Sequence, residues 1–312
     1  MNIDHLLEPL MASARAIVAA GYWTGPTRAL RAADKETEHV AGLITSCVGP
    51  LVQAWSTILA GSGISLAVQA VFLHQRPKVR FPSTTSALCG PGHCELADLL
   101  IVHEHDAIRR RAVLVQAKKV PGAPVAGDQK DLYEKWEPFR FAAGAHGAKG
   151  RPYDIAPNDE GSRYGIVHVS APLGVEPWWA EQPLGTRSAV DFGAMLAEML
   201  VAGVAGEPTP AREALIGGSD GWSALIEDLL RVSLGVNYPL KGFWSKPQPR
   251  IGRPVVSTMA QLRPAGFTAW HAVSGVAVEP SDLFGGDGDG PGDLVDGPEG
   301  VSTLYFGTRS IG

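Results

Sequence analysis

The chain has 312 residues, 45% of them apolar, and a formal net charge of −5. That length admits one large domain or two ordinary ones with a sizeable core, and the acidic balance excludes a chain-wide basic field, so a polyanion would have to meet a local patch. Three cysteines, Cys47, Cys89 and Cys94, make no disulfide framework and fit a reducing cytoplasm.

Residues 3–20 place Leu6, Leu7, Leu10, Met11 and Ile17 near one helical face, with Gly21 as a stop. No basic segment opens the chain, and Asp4 and Glu8 lie within it, so no secretory signal is expected. A second helix is expected from about Asp34 to Val48, with the stripe Val40, Leu43, Ile44 and Cys47. Glu36 falls on that stripe and Glu38 nearly opposite. Glu36 is either a first-turn acid favoured by the helix dipole or an inward-facing ligand.

Residues 50–60 read as helix and Ile64–His74 as a buried extended segment. Val40 to Leu73 carries no charge, and Ala54–Leu73 is long enough to span a bilayer. Gly49-Pro50, Gly61-Ser62-Gly63, Gln53 and Gln69 interrupt it, so a buried helix, a turn and a buried strand are expected, and no membrane span. The stretch 84–93 reads as a loop. Cys89, His93 and Cys94 lack the fourth ligand that structural zinc takes.

Leu96–His103 is a near-continuous apolar run of the kind found in central strands, yet it holds Asp98. A polar turn at 104–110 leads to a returning strand over Arg111–Val120. A hairpin symmetric about residue 107 sets Asp98 opposite Gln116, and Lys118 shares that face two residues on. After a loop with Pro121 and Pro124, a helix capped by Asp128 presents Leu132, Trp136 and Phe139, and Pro138 closes it. Gln129 and Tyr133, four apart, reach one place.

Residues 142–163 read as loop, Tyr164–Ser170 as a buried strand, and Pro172–Pro183, with Trp178 and Trp179, as loop. Helices are expected at about 188–204 and 220–234, and strands at 267–278 and 302–308. Residues 241–264 carry Lys241, Lys246, Arg250, Arg253 and Arg263 without an acid. The acidic glycine-rich stretch 285–300 places Pro291 where a calcium loop needs a ligand, so it reads as a solvated loop.

The chemistry follows from residue types. Asp98 and the Gln116 amide oxygen are hard ligands suited to Mg²⁺ or Mn²⁺, and the Ala117 carbonyl is a third candidate. Lys118 beside them can orient an attacking water or neutralise charge developing on a phosphate. The set fits metal-assisted phosphodiester hydrolysis. Glutamine in place of an acid removes one negative charge and raises the need for a further carboxylate, for which Glu36 is the candidate.

Asp98 followed by Gln116-Ala117-Lys118 on the next strand resembles the core motif of the PD-(D/E)XK nuclease superfamily, in the variant where Gln replaces the acid. Gln129-Lys130-Asp131-Leu132-Tyr133 resembles the Q-x-x-x-Y motif of RecB-type nucleases. The chain departs from the pattern in having Ala97 where a proline precedes the acid. The resemblance spans roughly residues 35–170. It implies an α/β fold with a restriction-endonuclease-like core, a central mixed β-sheet flanked by helices, and Mg²⁺-dependent cleavage of nucleic acid. Asp98 and Gln116 would be metal ligands with Glu36, Lys118 the catalytic lysine, and Gln129 and Tyr133 supports near the metal or phosphate.

The expected organisation is an N-terminal helix over 1–34, a nuclease core over 35–170, and a C-terminal α+β region over 171–312. Lys119, Lys246, Arg250 and Arg253 are the candidate nucleic-acid contacts. The expected function is a metal-dependent nuclease acting on DNA, as a bacterial restriction or anti-phage defence effector, with a homo-oligomer or a defence-system protein as partner. The alternative is a nuclease-fold module that binds nucleic acid or a protein without cutting.

Overall fold

Successive side chains of a strand point to opposite faces, so a sheet apolar on both faces must be covered on both. The computed structural model has that arrangement; it describes residues 4–24, 36–72, 77–81, 94–106, 108–119, 127–142, 151–158, 160–168, 178–181, 190–205, 211–233, 255–256 and 301–310. After a 3-10 turn at Asp4–Leu6, helix α1 runs over Leu7–Thr24. Helix α2 (Glu36–Gly42) passes through a π-helical turn, Leu43–Cys47, into α3 (Val48–Ala60). Strands β1 (Ile64–Phe72), β2 (Lys78–Arg80), β3 (Cys94–Glu95), β4 (Leu99–Glu104) and β5 (Arg109–Lys118) follow, then helix α4 (Asp128–Lys135). Next come β6 (Arg140–Phe141), β7 (Ser162–Val167), β8 (Trp178–Glu181) and β9 (Val190–Asp191). Helix α5 (Phe192–Ala205), β10 (Arg212–Leu215), α6 (Gly221–Ser233), β11 (Val255–Val256) and β12 (Ser302–Ser310) complete the described elements.

The central sheet has nine strands in the order β11-β1-β12-β4-β5-β7-β8-β9, with β10 beside the first half of β5. It is mixed: β4 and β5 are antiparallel, while β12 runs parallel to β4 and β7 parallel to β5. A second sheet, β3-β2-β6, is small and antiparallel. On one face of the central sheet Leu99, Ile101, Val113 and Val115 join Leu10, Trp55 and Leu200 from α1, α3 and α5. On the other, Leu100, Val102, Leu114 and Tyr164 join Leu132 and Tyr133 of α4 and Leu225 and Leu229 of α6. The architecture is an α/β fold with a central mixed sheet flanked by helices.

Several elements differ from the sequence reading for identifiable reasons. Helix α1 continues through Gly21 rather than stopping there. A Cβ at Gly21 would collide with Cys47 Sγ, so this glycine permits a close helix approach instead of ending a helix. Gly193 does the same for α5, where a Cβ would lie 2.9 Å from the Ala14 backbone. Pro50 does not separate two helices; the chain stays helical from α2 through the π-helical turn Leu43–Cys47 into α3, which contains it. Helix α4 ends before Pro138, at Trp136, which adopts the left-handed conformation and donates its N–H to the Leu132 carbonyl at 2.8 Å.

Trp178 and Trp179 lie on strand β8, paired with β7, rather than in a loop. Trp178 is buried against Phe192, with ring centroids 5.6 Å apart. Strand β10 lies between helices α5 and α6, where the sequence reading sets no element. The stretch Ala54–Leu73 forms the end of α3 and strand β1, and no helix among the described residues is long and apolar enough to cross a membrane. The expected strand at 267–278, the glycine-rich stretch 285–300, Cys89, His93 and most of the basic segment 241–264 lie outside the described residues.

Candidate metal centre at the end of the hairpin

The register of the hairpin decides the site. Leu99 pairs with Val115, Leu100 with Leu114 and Ile101 with Val113. The ladder ends there; Asp98 lies just before β4, and its N–H donates to the Val115 carbonyl at 3.0 Å, one residue out of that register. Gln116 Nε2 donates to Asp98 Oδ2 in a short hydrogen bond, and the Ala117 N–H donates to the same oxygen at 2.7 Å. Asp98 is 8% exposed and Gln116 1%. Since Nε2 faces the carboxylate, Gln116 Oε1 faces away from it, buried and without a hydrogen-bond partner. A buried acceptor oxygen without a partner is one that a hard cation or a hydrogen-bond donor would satisfy.

Lys118 follows on the same face, and its Nζ lies 3.4 Å from Glu36 Oε2. Glu36 Oε1 also accepts the Lys119 N–H at 3.3 Å. The first residue of α2 therefore clamps the end of β5 with both oxygens, which accounts for its place on the inward stripe. Tyr133, buried on α4, donates its hydroxyl to the Leu96 carbonyl at 3.0 Å. That bond holds the backbone two residues before Asp98. Tyr133 stacks on Tyr164, centroids 5.3 Å apart, and Tyr164 is the β7 partner of Gln116. Gln129 is half-buried on α4. Lys246, Arg250 and Arg253 lie outside the described residues.

One group escaped the sequence reading. Glu95, on β3, pairs with Lys78 on β2 and belongs electrostatically to the site. Burial pushes the Asp98 carboxyl well above the usual carboxylate range, Glu95 adds to that rise, and Lys118 and the Ala117 N–H oppose it. Burial also raises Glu95, against the pull of Lys118 and Lys78. Burial raises the Tyr133 hydroxyl well above its ordinary value, with Asp98 adding to the effect. The signal that could have found Glu95 is its position three residues before Asp98 at the head of the same apolar run. Its face, however, is set by the small sheet.

Among the described residues no three His, Cys, Asp or Glu side chains come together closely enough to hold a metal ion. The donors that do meet are a carboxylate and an amide oxygen, with lysine beside them. No family model, no curated protein and no solved structure matches this chain.

Proposed function

We propose that this protein is a Mg²⁺-dependent nuclease that hydrolyses phosphodiester bonds, with DNA as the favoured substrate. One observation carries the reading: Asp98 and Gln116 are hydrogen-bonded to each other at the end of a buried hairpin, with Lys118 next on the same face. The mixed sheet with α4 directly following the hairpin supports a restriction-endonuclease-like core. A role in bacterial restriction or anti-phage defence rests on the resemblance alone.

Asp98 and Gln116 would hold Mg²⁺ or Mn²⁺ by side-chain oxygens, and Glu36 stands one lysine away. The ion, when bound, lowers the pKa of a water and polarises the scissile phosphate. Lys118 supplies a positive charge at the position where the attacking water or the phosphate oxygen would sit. Glu36 restrains the Lys118 ammonium until substrate competes for it. Tyr133, through the Leu96 carbonyl, keeps the Asp98 strand in register with β5. Lys119, half-buried just past β5, would contribute a contact to the phosphate backbone.

The test is a cleavage panel of single- and double-stranded DNA and RNA with Mg²⁺ or Mn²⁺. Cutting by wild type that is lost in both Asp98→Ala and Lys118→Ala is the expected result. Equal behaviour of wild type and variants would remove the reading. A second reading, a binding module that does not cut, is favoured by one observation: no three metal-ligating side chains of the acidic, histidine or cysteine types meet among the described residues. A mobility shift with steep salt dependence and no cleavage would select it.

A further inference from the structure

Strand β5 opens with three arginines, Arg109, Arg110 and Arg111, and two of them have carboxylate partners. Arg109 Nε lies 2.7 Å from Asp106 Oδ2, and Arg110 is held by Glu104 and Glu227. Alternation along the strand turns Arg111 away from Arg110, onto the face that carries Val113 and Val115 toward α1, α3 and α5. Arg111 is 8% exposed, and its Nη1 is buried with no hydrogen-bond partner. Glu213 stands directly across the β5–β10 ladder, but it is exposed, and among the described residues no acid forms an ion pair with Arg111. A buried charge left unanswered is costly, and buried donors are seldom left unpaired.

The neighbours of Arg111 on this face are histidines. Its partner across the β4–β5 ladder is His103, and directly opposed side chains share a face with Cβ atoms about 4.5–5.5 Å apart. The fold uses both nitrogens of His103: Nδ1 donates to the Met199 carbonyl of α5 at 2.9 Å, so Nε2 accepts the Thr308 hydroxyl at 2.7 Å. The His105 ring lies 5.9 Å from that of His103. The His105 side chain is 5% exposed, and its Nδ1 is buried without a hydrogen-bond partner. Two orphaned nitrogens thus flank one saturated histidine at the turn end of the hairpin.

We propose that Arg111 and His105 form an oxoanion site there, with Arg111 Nη1 and His105 Nδ1 as donors to a single phosphate or carboxylate group of a small molecule. Both nitrogens are buried, so the group that meets them is compact, and the planar guanidinium is the side chain suited to an oxoanion. Asp106 borders the site but is taken by Arg109 and by the Ile108 and Arg109 N–H groups, which leaves Glu213 as the acid that competes with the ligand. Burial pulls the Arg111 guanidinium below its ordinary value, Glu213 opposes that shift and Arg109 adds to it; a bound anion would oppose it further. The site lies at the far end of β5 from Gln116 and Lys118 and does not depend on the nuclease reading.

The test titrates inorganic phosphate, sulfate and acetate into the full chain by calorimetry, at constant ionic strength with chloride as the balancing anion. Saturable binding of phosphate and sulfate assigns a tetrahedral ligand, and of acetate a carboxylate. Arg111→Met is expected to weaken binding about tenfold or more, and His105→Phe by less. Glu213→Gln, at an exposed position, should tighten it about threefold. Asp98→Ala should bind as wild type does, so loss of the nuclease reading leaves this site standing. Thermal unfolding without added anion separates an arginine kept for a ligand from a structural one. Arg111→Met removes a buried charge that nothing answers and should not lower the midpoint; a lower midpoint would show that the chain itself satisfies Arg111 and would overturn the site. No saturable binding of any of the three probes, or equal binding in Arg111→Met, would overturn it as well.

Discussion

The two ends of one hairpin solve the same problem in opposite ways. On the face toward α4 and α6, the β4–β5 ladder pairs Leu100 with Leu114, Val102 with Ala112 and Glu104 with Arg110, and the side-chain pair Asp98–Gln116 stands just beyond its other end, so two polar pairs bracket two apolar ones. The ends lie about 20 Å apart at ~3.3 Å per residue. At the turn end the charge is closed. Glu104 meets Arg110 Nε at 3.4 Å and accepts the Tyr305 hydroxyl, while Arg110 Nη1 reaches Glu227 at 2.6 Å. At the open end no arginine answers Asp98. Its hydrogen-bond partners are an amide and a main-chain N–H, and the Lys118 ammonium leans on Glu36. A closed network leaves its buried charges answered, so breaking it is costly, whereas at the open end the proposed cation would supply the missing charge.

The largest effect should separate the ends by activity. Lys118→Met is expected to lower the cutting rate at least roughly a hundredfold, as loss of a charge aimed at the transition state does. The same change should cost under about 1 kcal/mol of stability, since its Glu36 partner is 37% exposed. Arg110→Met reverses the pattern. It strands Glu104, 9% exposed, without its cation, and should cost about 3 kcal/mol in urea unfolding. Cutting by the folded fraction should be unchanged. A variant at either end that moved both quantities equally would erase the distinction.

Tyr133→Phe removes one buried hydrogen bond to the Leu96 carbonyl and should cost about 1 kcal/mol. If Tyr133 acts by holding the acid strand, cutting should fall with Tyr133→Phe while Mn²⁺ affinity changes less than in Asp98→Ala.

The smallest effect is one of pH. Burial holds the native Asp98 proton to a higher pH than in the unfolded chain. Between those two pH values the native state binds more protons, so stability falls as pH rises. Without metal, Asp98→Asn should therefore be more stable than wild type at neutral pH, and the difference should shrink as pH drops toward the unfolded carboxylate range. Paired thermal melts across pH check it; a difference that grew on acidification would show that Asp98 is ionised and well paired.

Parts of this were legible because they are local. The register of β4 and β5 follows from the symmetry of a short turn between two apolar runs, so Asp98 could be set opposite Gln116 from spacing alone. Glu36 stood out because a 3.6-residue period placed an acid on an apolar stripe, and it does reach Lys118. Gly21 and Pro50 were misread as breaks for the opposite reason. What they serve, a close approach to Cys47 and the first turn of α3, belongs to neighbours far along the chain or to a π-helical turn.

Spacing and periodicity in the chain determined the helices α4, α5 and α6, the hairpin, and the facing of Asp98, Gln116 and Lys118. Only the tertiary structure decided the rest. It laid β12 between β1 and β4, a parallel pairing that joins residues some two hundred positions apart. It brought Tyr305 to Glu104 at one end of the ladder and Glu36 to Lys118 at the other. The physical reason is range. Backbone geometry acts over a turn or a hairpin, whereas the charge balance of a buried site depends on every element packed around it.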